Sequence, residues 1–189
     1  MRDALLTQRP VPPSQAEGVG GTGVYAWYDL DGALARFYPD DFASVDPSLP
    51  LYVGLAEKDS LASRIVGTHL VVTRRSSLRR SLVALLSDQL ELLPGVIPAA
   101  KGKYGLAPDY ESKLTNWMND ARLRVTWVTH ETPGVAEKSV IANLLSPLNY
   151  TFAVGSPYRR RMWQLRRELR TAALNHRASL PLDCSYATE

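Results

Sequence analysis

The chain has 189 residues, 45% of them hydrophobic, enough for one well-filled core and short for two domains. Its one cysteine, Cys184, excludes an intramolecular disulfide framework and a cysteine-based zinc site, and fits a reducing cytoplasm. The formal charge of +3 is small but unevenly spread: residues 29–59 hold seven acidic and two basic side chains, residues 60–87 five arginines and no acid, and residues 158–177 seven arginines against Glu168.

Residues 1–21 are rich in proline, glycine and small polar residues without apolar periodicity, which predicts a flexible N-terminal arm. Asp3 and the short apolar run at residues 4–6 do not make a signal peptide, and no stretch reaches the roughly 20 apolar residues of a membrane span. The core is expected to begin at Thr22. Val24, Ala26 and Tyr28 alternate with Tyr25 and Trp27, the pattern of a strand, and Asp31-Gly32 predicts a hairpin turn into residues 33–38. After a proline- and aspartate-rich loop, LYVGL at residues 51–55 reads as a second strand, so Tyr25 and Tyr52 both sit on strands.

Ser60 is a candidate cap for a helix carrying Leu61, Arg64 and Ile65, with Gly67 limiting its length. Leu78, Leu82, Leu85 and Leu86 form one stripe of a helix whose other side is basic, the combination expected of an element that packs and binds phosphate at once. Residues 94–108 read as a proline and glycine loop containing Lys101 and Lys103. A helix at residues 111–122 and a strand at residues 123–130 follow. Thr132-Pro133 opens a helix ended before Pro147, and on it Glu137 shares a stripe with Val140, Ile141 and Leu144. A carboxylate aimed at apolar packing needs a partner, because desolvating it alone costs several kcal/mol. Arginine, donor groups and a metal ion are the alternatives. Ser156-Pro157 begins a C-terminal helix with Met162, Leu165, Leu169 and Ala173 inward and arginines outward.

These residues resemble the GIY-YIG endonuclease superfamily, found in excision-repair incision subunits, homing endonucleases and restriction enzymes. GVY at residues 23–25 stands where that family has its first motif and LYVG at residues 51–54 where it has the second. Arg64 and His69 match the helix motif, and Glu137 with Asn149 twelve residues later matches the metal-binding glutamate and the closing asparagine. The resemblance spans residues 22–149. It implies an α+β fold, a small antiparallel sheet of about three strands flanked by helices, here with a helical insertion and a C-terminal helix. The expected division is an arm at 1–21, a nuclease domain at 22–155 with a basic helical insertion at about 70–122, and a basic helix and tail at 156–189.

The resemblance further implies catalysis by Tyr25, Tyr52, Arg64, His69, Glu137 and Asn149, with Glu137 the sole protein ligand of Mg2+ or Mn2+. Such ions keep several waters and pair with substrate phosphate. Tyr25 would orient or deprotonate the attacking water and Arg64 would neutralise charge growing on the phosphate. A phenol acting as base at neutral pH needs its pKa lowered from about 10 by roughly three units. Arg74, Arg75, Arg79, Arg80, Arg159 and Arg160 are the expected nucleic-acid contacts.

Three departures stand out. The two tyrosine motifs are 27 residues apart, longer than the family's usual hairpin; Leu55 stands where a lysine often follows the second motif; and His69 comes five residues after Arg64 in place of four. The leading reading is a metal-dependent cytoplasmic endonuclease cutting DNA in preference to RNA, with no membrane partner. Cleavage of both strands by a one-site protein would call for a homodimer. An inactive nucleic-acid-binding module and an RNA-cleaving nuclease are the alternatives, and neither tyrosine nor histidine taken singly separates a site from ordinary packing.

Overall fold

A computed structural model describes residues 1–42 and 45–179, so Cys184 and the last part of the predicted tail lie outside the described residues. The central strand is β1 (Gly23–Tyr28), buried along its whole length. It pairs antiparallel with β2 (Tyr52–Ala56) on one side and with β5 (Arg124–Thr129) on the other, giving the order β2-β1-β5. The two-residue alternation of a strand sends Tyr25 and Trp27 to one face, with Tyr52, Gly54, Val125 and Trp127 as their cross-strand partners. Val24, Ala26 and Tyr28 go to the other. The expected three-stranded α+β fold is therefore present.

Each face has its own core. Against Tyr25 and Trp27 pack Leu61 and Ile65, then Leu78, Leu82 and Leu86 of α2 (Ser77–Leu86), Leu114 and Met118 of α3 (Pro108–Asp120), and Met162 and Leu169 of α5 (Arg159–Ala178). The opposite face is closed by Val140, Ile141 and Leu144 of α4 (Pro133–Leu144) and by Leu5 of α1 (Arg2–Leu6). Complete burial of one such aliphatic side chain contributes about 1.5–3 kcal/mol, so the stripes read from the sequence are what fix the helices to the sheet. Among the described residues no helix is long and apolar enough to cross a membrane.

Four sequence expectations are corrected. Residues 1–21 are packed and do not form a free arm: Leu5 and Ala16 have no exposed surface, Val11 bridges to Val125 through hydrogen bonds of 3.0 and 2.8 Å, and Val19 and Gly21 accept from the Ala62 and Leu61 amides at 3.0 Å each. Each anchor is a single residue on a short helix, a bend, irregular backbone or a one-residue bridge, which leaves no periodicity to read. Residues 33–38 do not return as a strand; Asp29 accepts from the Ala33 and Leu34 amides at 2.9 and 2.7 Å and turns the chain into a short 3-10 helix, Ala35–Phe37. Residues 94–108 are more than a loop, because β3 (Val96–Pro98) and β4 (Tyr104–Leu106) form a hairpin with Lys101 and Lys103 at its tip. Finally, α2 has no solvated basic side: its Arg79 and Arg80 are buried with its leucines.

Candidate active site

The site is assembled around Tyr25. On β1 its side chain crosses to β2 and lies over Gly54, its cross-strand partner. A Cβ added at Gly54 would stand 2.5 Å from Tyr25 Oη and 2.6 Å from Cζ, so the glycine of the second motif is the space the Tyr25 ring occupies. Tyr25 Oη is hydrogen-bonded to His69 Nε2 at 2.6 Å, and His69 Nδ1 to Ser76 Oγ at 2.6 Å. The His69 ring meets Tyr25, Trp27 and Tyr52 edge-on, with ring centroids 5.2, 5.9 and 5.7 Å away.

His69 and Arg64 both reach Tyr25 because the helix between them is not α-helical. Ser60 Oγ caps it by accepting from the Ser63 amide at 3.1 Å, as expected, and Ser63–Thr68 then forms a π-helix. The His69 amide donates to the Arg64 carbonyl at 3.1 Å, an i to i+5 bond. The extra residue of this motif is accommodated by that wider turn.

The insertion holds His69 in place. Ser76 is the N-cap of α2, accepting from the Arg79 amide at 3.0 Å while it bonds the imidazole. Arg79, with no exposed side-chain surface, bonds the His69 carbonyl at 3.3 Å and Thr115 at 3.0 Å, and forms a 2.7 Å salt bridge with Glu111. Glu111 accepts in turn from the Thr73 amide and hydroxyl at 2.8 and 2.6 Å. Arg80 donates to the carbonyls of Thr73 and Arg74 at 3.2 and 2.7 Å, and Tyr104 Oη donates to the Arg80 carbonyl. These two arginines are thus bracing for the turn Thr73–Arg75, and the expectation that they contact nucleic acid is corrected. A sequence stripe identifies a polar helix side but not a second layer packed upon it.

Arg74 and Arg75, which that turn carries, are exposed as expected. With Arg64, Lys101 and Lys103 they line one groove, together with Ala99 and Ala100 of the hairpin loop. Arg159 and Arg160 are also exposed, on a different groove along α5. Arg166, read as outward, is buried and donates to Ser77 Oγ at 3.3 Å.

Glu137 lies one turn ahead of Val140 and Ile141 on α4 and is 8% exposed. Among the described residues no hydrogen bond or salt bridge uses its carboxylate, so the arginine partner that the sequence left open is not engaged. Burial first pushes its pKa up to about 7; Arg64 opposes this, Glu57 adds to it, and Lys138 opposes it. Glu57, which follows β2 and carried no motif signal, leans toward the start of α4, where a Cβ on Gly134 would lie 3.2 Å from its carboxylate. A buried carboxyl that is unpaired and has its pKa raised to about 7 gains most from a hard divalent cation, which favours its ionised form and retains waters, so the donor chemistry at Glu137 fits Mg2+ or Mn2+.

Burial, followed by the neighbouring Tyr52 phenol, raises the Tyr25 pKa well above its ordinary value, against the Arg64 guanidinium. Burial and then Glu137 push Tyr52 up to about 12. His69 is held well below the usual imidazole range by burial and then by Arg64, Arg79 and Arg80. The imidazole is therefore neutral, and it can donate one ring N–H but not carry a second proton. Arg64 lowers the Tyr25 phenol, but burial outweighs it and the net shift is upward.

Asn149 occupies both ends of its amide on one residue: Oδ1 accepts from the Val53 amide at 2.7 Å and Nδ2 donates to the Val53 carbonyl at 2.8 Å. Since β2 is an edge strand, this side chain satisfies the outer backbone of Val53, beside Tyr52, as another strand would. Asn149 is a positioning residue for β2. Val11 covers the opposite edge at Val125.

An antiparallel sheet with two tyrosines on adjoining strands, and helical segments that bring arginine, histidine and glutamate toward them, makes an α+β domain with a polar cluster at its centre. The family described as the GIY-YIG catalytic domain matches residues 23–168, and the chain belongs to this nuclease family. No curated protein and no solved structure matches the chain.

Proposed function

We propose that the protein is a divalent-metal-dependent endonuclease that hydrolyses phosphodiester bonds of DNA, with Glu137 holding the metal. The observation that carries this reading is the unpaired, buried Glu137 carboxylate within electrostatic reach of Arg64, which itself lines the basic groove. A polyanion following Arg74, Arg75, Lys101 and Lys103 would meet Arg64 in the same groove. Mg2+ or Mn2+ bound at Glu137 would act as a Lewis acid on the scissile phosphate.

The chain's own residues have separable parts in this scheme. Arg64 neutralises charge on the phosphate as the pentavalent transition state develops. Tyr25, protonated when the site is without metal, positions the attacking water through Oη. The neutral His69 ring takes up either hydrogen-bonding direction, accepting from the Tyr25 hydroxyl or donating Nε2–H to a phenolate while Ser76 donates to Nδ1. Tyr52 lies beside both, and Asn149 fixes its strand. Cutting both strands would call for two copies of this site, hence a homodimer.

The test is incubation of supercoiled plasmid with purified protein and magnesium, manganese or chelator, beside Glu137→Ala prepared identically. Metal-dependent nicking that the variant lacks is the expected result. Binding without cleavage of either DNA or RNA would support the inactive module, which the raised Tyr25 pKa and Leu55 favour; cleavage of RNA alone would reassign the substrate.

A further inference from the structure

Just past the Asn149 clamp the chain forms a surface that the cleavage chemistry does not use. Tyr150, Phe152, Val154, Arg159, Arg160 and Trp163 line a shallow groove that continues along α5 past Arg167. Phe152 is 44% exposed and Trp163 is 51% exposed, whereas the other aromatic side chains among the described residues are at least partly buried. Phe152 also has φ +61°, the left-handed region that a bulky side chain rarely enters. An outlier that holds an aromatic ring toward solvent marks a place where conformation serves contact.

Cations accompany each ring. Lys138 Nζ lies 5.1 Å from the Phe152 centroid, the Arg166 guanidinium 4.2 Å from Tyr150, and the Arg167 guanidinium 5.4 Å from Trp163. Arg159 Nε donates to the Tyr150 carbonyl at 3.0 Å. The acid lining this surface, Glu168, is already engaged by Gln164 at 2.7 Å and Arg161 at 3.8 Å. A duplex would offer phosphates to the arginines but keep its bases stacked on one another, leaving Phe152 and Trp163 unused. An apolar protein partner would leave the arginines unmatched. A strand with both free phosphates and free base faces matches both sets.

We infer that the Phe152–Trp163 surface is a stacking platform for unpaired DNA nucleotides adjoining the scissile bond, with Arg159 and Arg160 on their phosphates. Its position follows from the chain: Lys138 is next to Glu137 and acts on it, and Asn149 ties the segment to Val53 beside Tyr52. The inference rests on the DNA-nuclease reading and narrows it to substrates with single-stranded segments, such as forks, flaps and gaps.

The experiment is titration of the full-length protein in chelator with short labelled oligo(dT), oligo(U) and a blunt duplex. Anisotropy and intrinsic tryptophan fluorescence are followed for the wild type, Trp163→Ala, Phe152→Ala and the remote control Leu30→Ala. Oligo(dT) should bind more tightly than the duplex and quench fluorescence. Trp163→Ala should abolish most of the quench, and each platform variant should weaken oligo(dT) about tenfold, with Leu30→Ala unchanged. Unchanged affinity in both platform variants, tighter binding of duplex or oligo(U), or DNA-independent dimerisation through Trp163 would overturn the assignment. If the wild type still nicks plasmid in any of those cases, the platform falls and the nuclease stands; if it neither binds nor cuts DNA, both fall.

Discussion

The amide of His69 donates to the carbonyl of Arg64, five residues earlier, at 3.1 Å. On an α-helix a residue five positions on would be turned about 140° away, so the spacing in this sequence would separate the two side chains. The π-turn closes that gap, and both groups act on Tyr25. π-Bulges commonly sit at functional sites, where one inserted residue re-aims a side chain without remaking the helix.

Gly67 lies inside this π-helix, but it is not what permits it. It has no left-handed φ, and a Cβ placed there would find only Ser63 Oγ, at 4.0 Å. Gly67→Ala should therefore raise stability by about 0.5–1 kcal/mol through loss of unfolded-chain entropy and leave nicking unchanged. Thermal unfolding and plasmid assays check this; lost activity in a stable variant would mean that glycine flexibility is needed.

Gly54 should behave in the opposite way. A Cβ there would overlap the Tyr25 hydroxyl and ring, between rigid paired strands. Gly54→Ala should cost about 1–3 kcal/mol and remove most activity by displacing Tyr25 from His69. If Gly54→Ala crystallises with Tyr25 unmoved and retains full activity, the close approach is not a requirement.

Motif order and strand alternation made the sheet, the tyrosine pair, the Arg64 helix and Glu137 legible in the sequence. What stayed hidden were relations between layers. Arg79 and Arg80 read as a basic helix side because periodicity along one helix carries no information about Glu111 on another. Ser76 was visible only as a polar residue before an apolar stripe, and its bond to His69 appears once α2 is docked. The β3–β4 hairpin leaves no sequence signal because its strands are three residues each, too short for alternation to register.

Glu137 should make stability depend on pH with a definite sign. Its pKa rises from 4.5 to about 7 on folding, so between those values the folded chain holds a proton that the unfolded chain has lost. Without metal, stability falls as pH rises through that window, and the penalty is complete above it. Glu137→Gln removes the penalty: in chelator it should be more stable than wild type by up to about 3 kcal/mol near pH 8, with the difference vanishing below about pH 4.5. Magnesium should then stabilise the wild type at high pH and leave Glu137→Gln unmoved. Denaturant titrations at several pH values decide it; a pH-independent difference would mean that Glu137 is ionised at ordinary carboxylate pH.

The basic residues should divide into two groups that charge alone does not distinguish. Arg79→Ala leaves Glu111 without its guanidinium inside the fold and should cost about 3–5 kcal/mol, with activity lost through His69 and Ser76. Arg74→Ala, Arg75→Ala, Lys101→Ala and Lys103→Ala remove exposed charges from the groove and should change stability by no more than about 0.5 kcal/mol. Each should weaken duplex binding and lower the dependence of log affinity on log salt by up to about one unit, because each phosphate contact releases counterions. Binding isotherms of metal-free protein over a range of salt concentrations, paired with unfolding curves, measure both quantities. A salt slope unchanged in all four groove variants would move the DNA track elsewhere, whereas one lowered by Arg79→Ala in a fully folded protein would return that arginine to the binding surface.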